Sequence, residues 1–289
     1  MQDVKSFLKL SLITVFSAVA SLTLISQVYA NINTNPNAQT YYQTPAPNSG
    51  AGANKSFNWA GYVASSGTFT AISGTWVIPQ SANNNYTADA TWVGIGGVNS
   101  RDLIQAGTLK QGSAYSAWFE TLPDSVNTVP LNVNASDSVT VNLNQQSANV
   151  WTISITDNST GQNYSTTVAY NSSLSSAEWI EEMPSSNFGF IPLDNFGSIN
   201  FTAGSATMNG SQVNIVGSGA QPMSMVNMQG QTLAYPSAIG SDNSSFTVTR
   251  TTDSGSVASV PTFAFSRSSY GFGHRGYRHG SSFIFHFSF

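Results

Sequence analysis

The chain has 289 residues, no cysteine and only 8% charged side chains, about a third of the charge of an ordinary soluble domain. Thiol catalysis and thiolate metal sites are thereby excluded, and the length suffices for one large domain that folds without disulfides. Between Phe57 and Asp253 three basic residues, Arg101, Lys110 and Arg250, stand against twelve acidic ones, a net charge of −9 when all are ionised. So few cations argue against nucleic acid as a partner. They also leave little repulsion once the carboxylates are neutral, which suits a protein to acid.

In chain order, Lys5 and Lys9 precede an apolar, uncharged stretch from Leu10 to Ile25, and Val28-Tyr29-Ala30 offers small residues where a signal peptidase reads. The pattern predicts a secretory signal over residues 1–30, cut after Ala30, with the mature chain released outside the cell or retained at its surface. The apolar stretch is short for a membrane span and is interrupted by serines. Residues 31–56 are polar, rich in Pro and Gly and without a hydrophobic period, which predicts a linker or short pro-segment.

From residue 57 to 253 the pattern is strands and turns. Val139, Val141 and Leu143 alternate with Thr140 and Asn142, Trp151, Ile153 and Ile155 alternate with Thr and Ser, and Val213, Ile215 and the run Phe246-Thr247-Val248-Thr249 read alike. Period two with Thr, Val and aromatic enrichment, broken by Asn-Gly and Ser-Gly turns, is the signature of half-buried strands. Many short strands predict an all-β, two-sheet antiparallel sandwich or jelly roll as one domain. Residues 254–289 change character: they hold all three histidines, His274, His279 and His286, among Gly, Ser, Phe and Arg. A flexible tail with an apolar end is expected there.

The candidate chemistry is narrowed by elimination. No histidine lies between 57 and 253, so no Ser-His-Asp triad can form there. There is no HExxH, no GxSxG, no P-loop and no dinucleotide fingerprint. Carboxylates, amides and indoles remain, gathered in three segments: Thr91-Trp92-Val93-Gly94-Ile95-Gly96-Gly97 with Leu103-Ile104-Gln105-Ala106-Gly107-Thr108, then Trp118-Phe119-Glu120, then Ala177-Glu178-Trp179-Ile180-Glu181-Glu182. On a strand Glu178, Ile180 and Glu182 share a face. Glu178 and Glu182 are then roughly 13 Å apart, too far to share a proton, so any partner of Glu178 comes from a neighbouring strand.

These segments, with Asn58-Trp59-Ala60-Gly61-Tyr62 and Gly74-Thr75-Trp76-Val77-Ile78-Pro79 before them, resemble in order the glutamic peptidases, or eqolisins, over nearly the whole stretch from Phe57 to Thr252. The lack of cysteine looks more like the prokaryotic branch than the disulfide-bearing fungal one. The resemblance implies a β-sandwich of two curved sheets with a cleft on the concave face, and Gln105 and Glu178 as the catalytic pair. Trp92, Trp118 and Glu120 match positions that line or support the cleft. It further implies polypeptide substrates, no cofactor and a monomeric secreted acid endopeptidase. Gly96 stands where the family commonly carries Asp. Three other readings of the same residues remain: a glycan- or surface-binding module, a structural cell-surface protein, and a glycosidase, which would need two carboxylates about 5 to 9.5 Å apart.

Overall fold

The computed structural model describes residues 54–81, 84–186 and 189–251; the expected signal segment, nearly all of the linker and the C-terminal tail lie outside the described residues. The described chain forms strands and turns without a helix. In chain order the strands are β1 (Lys55–Ser56), β2 (Trp59–Ala64), β3 (Phe69–Val77), β4 (Asn84–Gly96), β5 (Leu103–Gly112), β6 (Ala114–Thr121), β7 (Asn127–Thr128), β8 (Ser138–Ser147), β9 (Val150–Asp157), β10 (Asn163–Ala169), β11 (Ala177–Glu182), β12 (Ser185–Ser186), β13 (Gly189–Phe190), β14 (Ser198–Met208), β15 (Ser211–Asn214), β16 (Gln221–Val226), β17 (Thr232–Pro236) and β18 (Phe246–Arg250).

Two antiparallel layers result. The first runs β10-β9-β8-β3-β14-β18-β17, and the second runs β16-β2-β11-β4-β5-β6-β7. β16 joins them: Gln221 to Met223 pair with β2, whereas Met225 and Val226 pair with β17. The short β1 pairs with β16 in parallel. The period-two reading holds in the first layer. Val139, Val141 and Leu143 of β8 and Trp151, Ile153 and Ile155 of β9 are all fully buried, while the residues between them are half-buried or exposed. That layer therefore has one face on the core and one polar face toward solvent.

Indole nitrogens tie the layers together. Trp76 of β3 donates to Thr108 Oγ1 of β5 at 2.9 Å, and Trp179 of β11 donates to the Ser73 carbonyl of β3 at 2.8 Å. Trp76 also leans on Phe201, which stacks on Phe246 with centroids 4.7 Å apart. Buried indole N–H groups need such partners, because an unmade bond leaves the full desolvation cost.

The second layer is buried on both faces. All six residues of Ala177–Glu182 are buried, three glutamates included. Glu181 faces the other layer, where Thr91 Oγ1 donates to its Oε2 at 2.8 Å. Beside it, in register across β4 and β5, lie Asp89 and Lys110. Lys110 is bound to Asp194 at 2.5 Å, and Asp194 also accepts from Ser81 and Thr87. Lys110 is thus paired with Asp194 and its charge also acts on Asp89. Burial would raise the Asp194 carboxyl, but hydrogen bonds from Lys110, Ser81 and Thr87 outweigh it and hold the group below its ordinary range. Asp89 and Glu181 lose the competition: burial, reinforced by the neighbouring carboxylates, pushes both well above theirs.

Two expectations follow from these layers. The folded protein holds protons on Asp89 and Glu181 that the unfolded chain releases near pH 4. Their stabilising contribution is complete below that pH and is lost as pH rises toward the folded values, at about 1.4 kcal/mol per pH unit for each group. Urea midpoints measured from pH 3 to 8 should fall from about pH 4.5 upward, and Glu181→Gln should flatten the fall; a stability maximum at neutral pH would contradict this. Thr108→Val should destabilise the fold by about 1–3 kcal/mol, because it strands the Trp76 N–H, as read from the denaturant midpoint.

Candidate active site

Residues directly opposed in a sheet point to the same face. Across the second layer the register sets Val63, Glu178, Gly94, Gln105 and Glu120 in one row, on β2, β11, β4, β5 and β6. The next row on that face holds Gly61, Ile180, Trp92, Gly107 and Trp118, and the one after it Trp59, Glu182, Ala90, Leu109 and Ser116. All five residues singled out from the sequence, Gln105, Glu178, Trp92, Trp118 and Glu120, therefore occupy two adjacent rows of one face, turned away from the first layer.

Gly94 separates Glu178 from Gln105. Two strand spacings put their Cα atoms roughly 10 Å apart, and the space above the glycine between them is filled by the Trp92 ring and Leu103. A Cβ there would come within 2.8 Å of Trp92 Cζ3 and 3.0 Å of Leu103 Cδ1. In the next row a Cβ on Gly107 would stand 2.7 Å from the Cβ of Trp92. Small residues at these two points make room for the two tryptophans.

Many polar groups of the face are not paired off. Gln105 Nε2 donates to Glu120 Oε2 at 2.7 Å. Gln105 Oε1, Glu120 Oε1, both oxygens of Glu178 and the indole nitrogens of Trp59 and Trp118 are buried without a hydrogen-bond partner. Each such group costs about 1–3 kcal/mol if nothing satisfies it, and their gathering on one face marks a place built to receive polar atoms. Burial pushes the Glu178 carboxyl well above its ordinary range; the charge of Asp102 adds to the effect and the nearby Ser176 hydroxyl opposes it. Burial likewise pushes Glu120 up to about 8, against the hydrogen bond from Gln105. Among the described residues no group of three or more His, Asp or Glu side chains is placed to hold a metal ion.

The face is closed. Gln105, Glu178, Glu120, Trp92 and Trp118 are all at 0% exposure, and Val98, Val126 and Met223 pack onto the apolar cluster that Trp59, Trp92 and Trp118 share with Leu103, Leu122 and Ile180. Val98 and Val126 lie in the β4–β5 and β6–β7 connections, so these loops help to cover the face.

Three features of the site escaped the sequence. Glu182, considered there only for its distance from Glu178, accepts from the Trp92 indole at 2.8 Å and from Asn58 Nδ2 at 3.0 Å. Gly94 is the gap between the two central side chains, which only the strand register reveals. Gly96 has a structural reason of its own: its φ is 97°, a left-handed conformation that side chains resist, and a Cβ there would run into the Asp102 carbonyl and lie 2.9 Å from Asp102 Oδ2. A carboxylate is thus present beside this position, supplied by Asp102, which the Ser173 N–H and Ser172 hydroxyl hold at 2.6 and 3.1 Å.

Known proteins share the sequence pattern and the fold. Residues 57–250 match the Peptidase A4 family. Aspergillopepsin-2 of Aspergillus niger is 26% identical, over 55% of this chain and 67% of that protein. The crystal structure of aspergilloglutamic peptidase from Aspergillus niger is 28% identical with a TM-score of 0.51, covering 57% of this chain and 99% of that one. The structure of scytalido-glutamic peptidase with a peptide-based transition-state analogue shares the fold, with a TM-score of 0.60 at 24% identity over 67% of this chain and 98% of that one. The chain belongs to the Peptidase A4 family, the glutamic peptidases or eqolisins.

Proposed function

We propose that this chain is a secreted endopeptidase that works in acid, with Glu178 as general base and Gln105 as the donor to the oxyanion. The observation that carries the reading is the pair of unpartnered, buried groups, the Glu178 carboxyl and Gln105 Oε1, on either side of Gly94. Family membership supports hydrolysis over the glycan-binding alternative, and the signal-like N-terminus supports export.

In this reading the β4–β5 and β6–β7 loops open, and an extended peptide enters with its scissile carbonyl over Gly94. A water held by Glu178 and Gln105 Oε1 attacks the carbonyl carbon, and its proton passes to Glu178. One N–H of Gln105 is engaged by Glu120; the amide's second N–H donates to the oxygen that becomes negative. Glu178 then returns the proton to the leaving nitrogen as the C–N bond breaks. An amide does not titrate, so Gln105 keeps this role at any working pH. Glu178 must be ionised to act as the base. Burial resists ionisation, and an entering water that hydrogen-bonds the carboxylate favours it. The rate therefore rises with pH through the Glu178 ionisation, until the loss of the protons on Asp89 and Glu181 weakens the fold.

Glu120 holds the Gln105 amide in place. Being neutral below about pH 8, it still accepts the amide proton through its carbonyl oxygen. The indole donor of Trp118 is available to a backbone carbonyl of the peptide.

Cleavage of unfolded casein between pH 2 and 7 tests the pair. Glu178→Gln should abolish it, and Gln105→Ala should lower kcat by about 10²- to 10³-fold, both with an unchanged circular dichroism spectrum. A folded Glu178→Gln protein that cuts at the wild-type rate would end this reading. For Glu120 the expected contrast is isosteric against apolar: Glu120→Gln should stay within about threefold of wild type, whereas Glu120→Leu, leaving the amide unoriented, should lose about 10²-fold in kcat with little change in KM. Equal losses in the two variants would remove the orienting role.

A further inference from the structure

Glu182 is a fully buried carboxyl on the site face that the reaction above does not use. It sits two rows from Glu178, opposite Trp59 on one side and Ala90 on the other. Its Oε2 accepts the Trp92 indole N–H at 2.8 Å and its Oε1 accepts the Asn58 amide N–H at 3.0 Å. Asn58 is fixed in turn: its Oδ1 accepts from Ser56 Oγ at 3.0 Å, and Ser56 Oγ accepts the backbone N–H groups of Asn58 and Trp59 at 3.2 and 3.1 Å. The Trp59 ring meets Trp92 edge-on, with centroids 5.0 Å apart at 78°. Trp92 is therefore held on one side by Glu182, which Asn58 braces, and on the other by Trp59. The far edge of its six-membered ring lies over Gly94, between Gln105 and Glu178 in the row, since Cζ3 is the atom that a Cβ on Gly94 would strike first.

We infer that Glu182 is a positioning residue that clamps the Trp92 indole over Gly94, between Gln105 and Glu178, and makes the docking of Ser56–Asn58 part of the assembly of the site. The inference rests on the peptidase reading for its effect on rate. The choice of residue fits the task. Two donors converge on Glu182, and a carboxyl group offers an acceptor oxygen to each, whereas a glutamine would turn its own NH2 against one of them. The segment formed by β1 and the start of β2 thereby reaches Trp92 both through the Asn58–Glu182 hydrogen bond and through the Trp59 ring.

The test compares kcat/KM for wild type, Glu182→Gln, Trp92→Phe, the double variant, and the swap that joins Glu182→Gln to Asn58→Asp, in which the introduced carboxylate accepts from the introduced amide. The Trp92 indole N–H resonance, identified by its loss in Trp92→Phe, is followed in parallel for protection from hydrogen exchange. Expected are a fall of about tenfold or more in Glu182→Gln with loss of indole protection, no further fall in the double variant, and recovery to within about threefold in the swap. Retained kcat/KM and protection in Glu182→Gln, losses that multiply in the double variant, or a swap that restores nothing would each overturn the clamp. If the wild type cleaves no peptide at all, the peptidase reading fails, and the indole resonance alone decides: protection lost in Glu182→Gln and regained in the swap supports the clamp, and protection kept in Glu182→Gln overturns it.

Discussion

Burying a carboxylate in its charged form is costly unless a cation or several donors compensate it. Among the described residues this fold buries seven acidic side chains with a single buried lysine. Asp194 claims that lysine, and Asp157 caps its own turn through the Ser159 N–H and the Thr160 hydroxyl. Asp89, Glu120, Glu178, Glu181 and Glu182 are left to burial, which raises every one of them. The native state is consequently one that holds protons. Its stability therefore leans toward acid, while the same burial makes the Glu178 carboxyl harder to ionise.

The second constraint is register. A sheet aligns opposed residues on one face, and a one-residue slip of β11 against β4 would send Glu178 into the space between the layers and bring Trp179 out. The pairing of Glu178 with Gly94, and of Gly94 with Gln105, is what turns three separate sequence segments into one site. The contrast in hydrogen bonding fits this division of labour. Indoles between the layers, Trp76 and Trp179, are satisfied by the opposite sheet. On the outer face Trp92 is satisfied by Glu182, while Trp59 and Trp118 have no hydrogen-bond partner.

Much of this was legible in the sequence wherever burial is one-sided. β8 and β9 alternate cleanly because one face is wet, and their core residues were readable from period two alone. Ala177–Glu182 was less readable because both of its faces are buried. Its alternation of sides still told that Glu178, Ile180 and Glu182 go together, but not that Glu181 would enter the core beside Asp89. The family resemblance singled out segments that the strand register brings together, with Gln105, Glu178, Trp92, Trp118 and Glu120 on one face. Contacts such as Asn58 to Glu182, spanning 124 residues, leave no local trace. Gly96 looked like a missing carboxylate, and only its φ and the nearness of Asp102 show why glycine belongs there.

The central claim is that a peptide bond is cut over Gly94, between Glu178 and Gln105. A crystal structure of the Glu178→Gln variant grown in acid with an uncleaved peptide tests it most directly. The account predicts the scissile carbonyl over Gly94, its oxygen within hydrogen-bond reach of Gln105 Nε2, with the β4–β5 and β6–β7 loops moved aside. A peptide bound on the polar face of the first layer, with the row from Glu178 to Glu120 still closed, would contradict it.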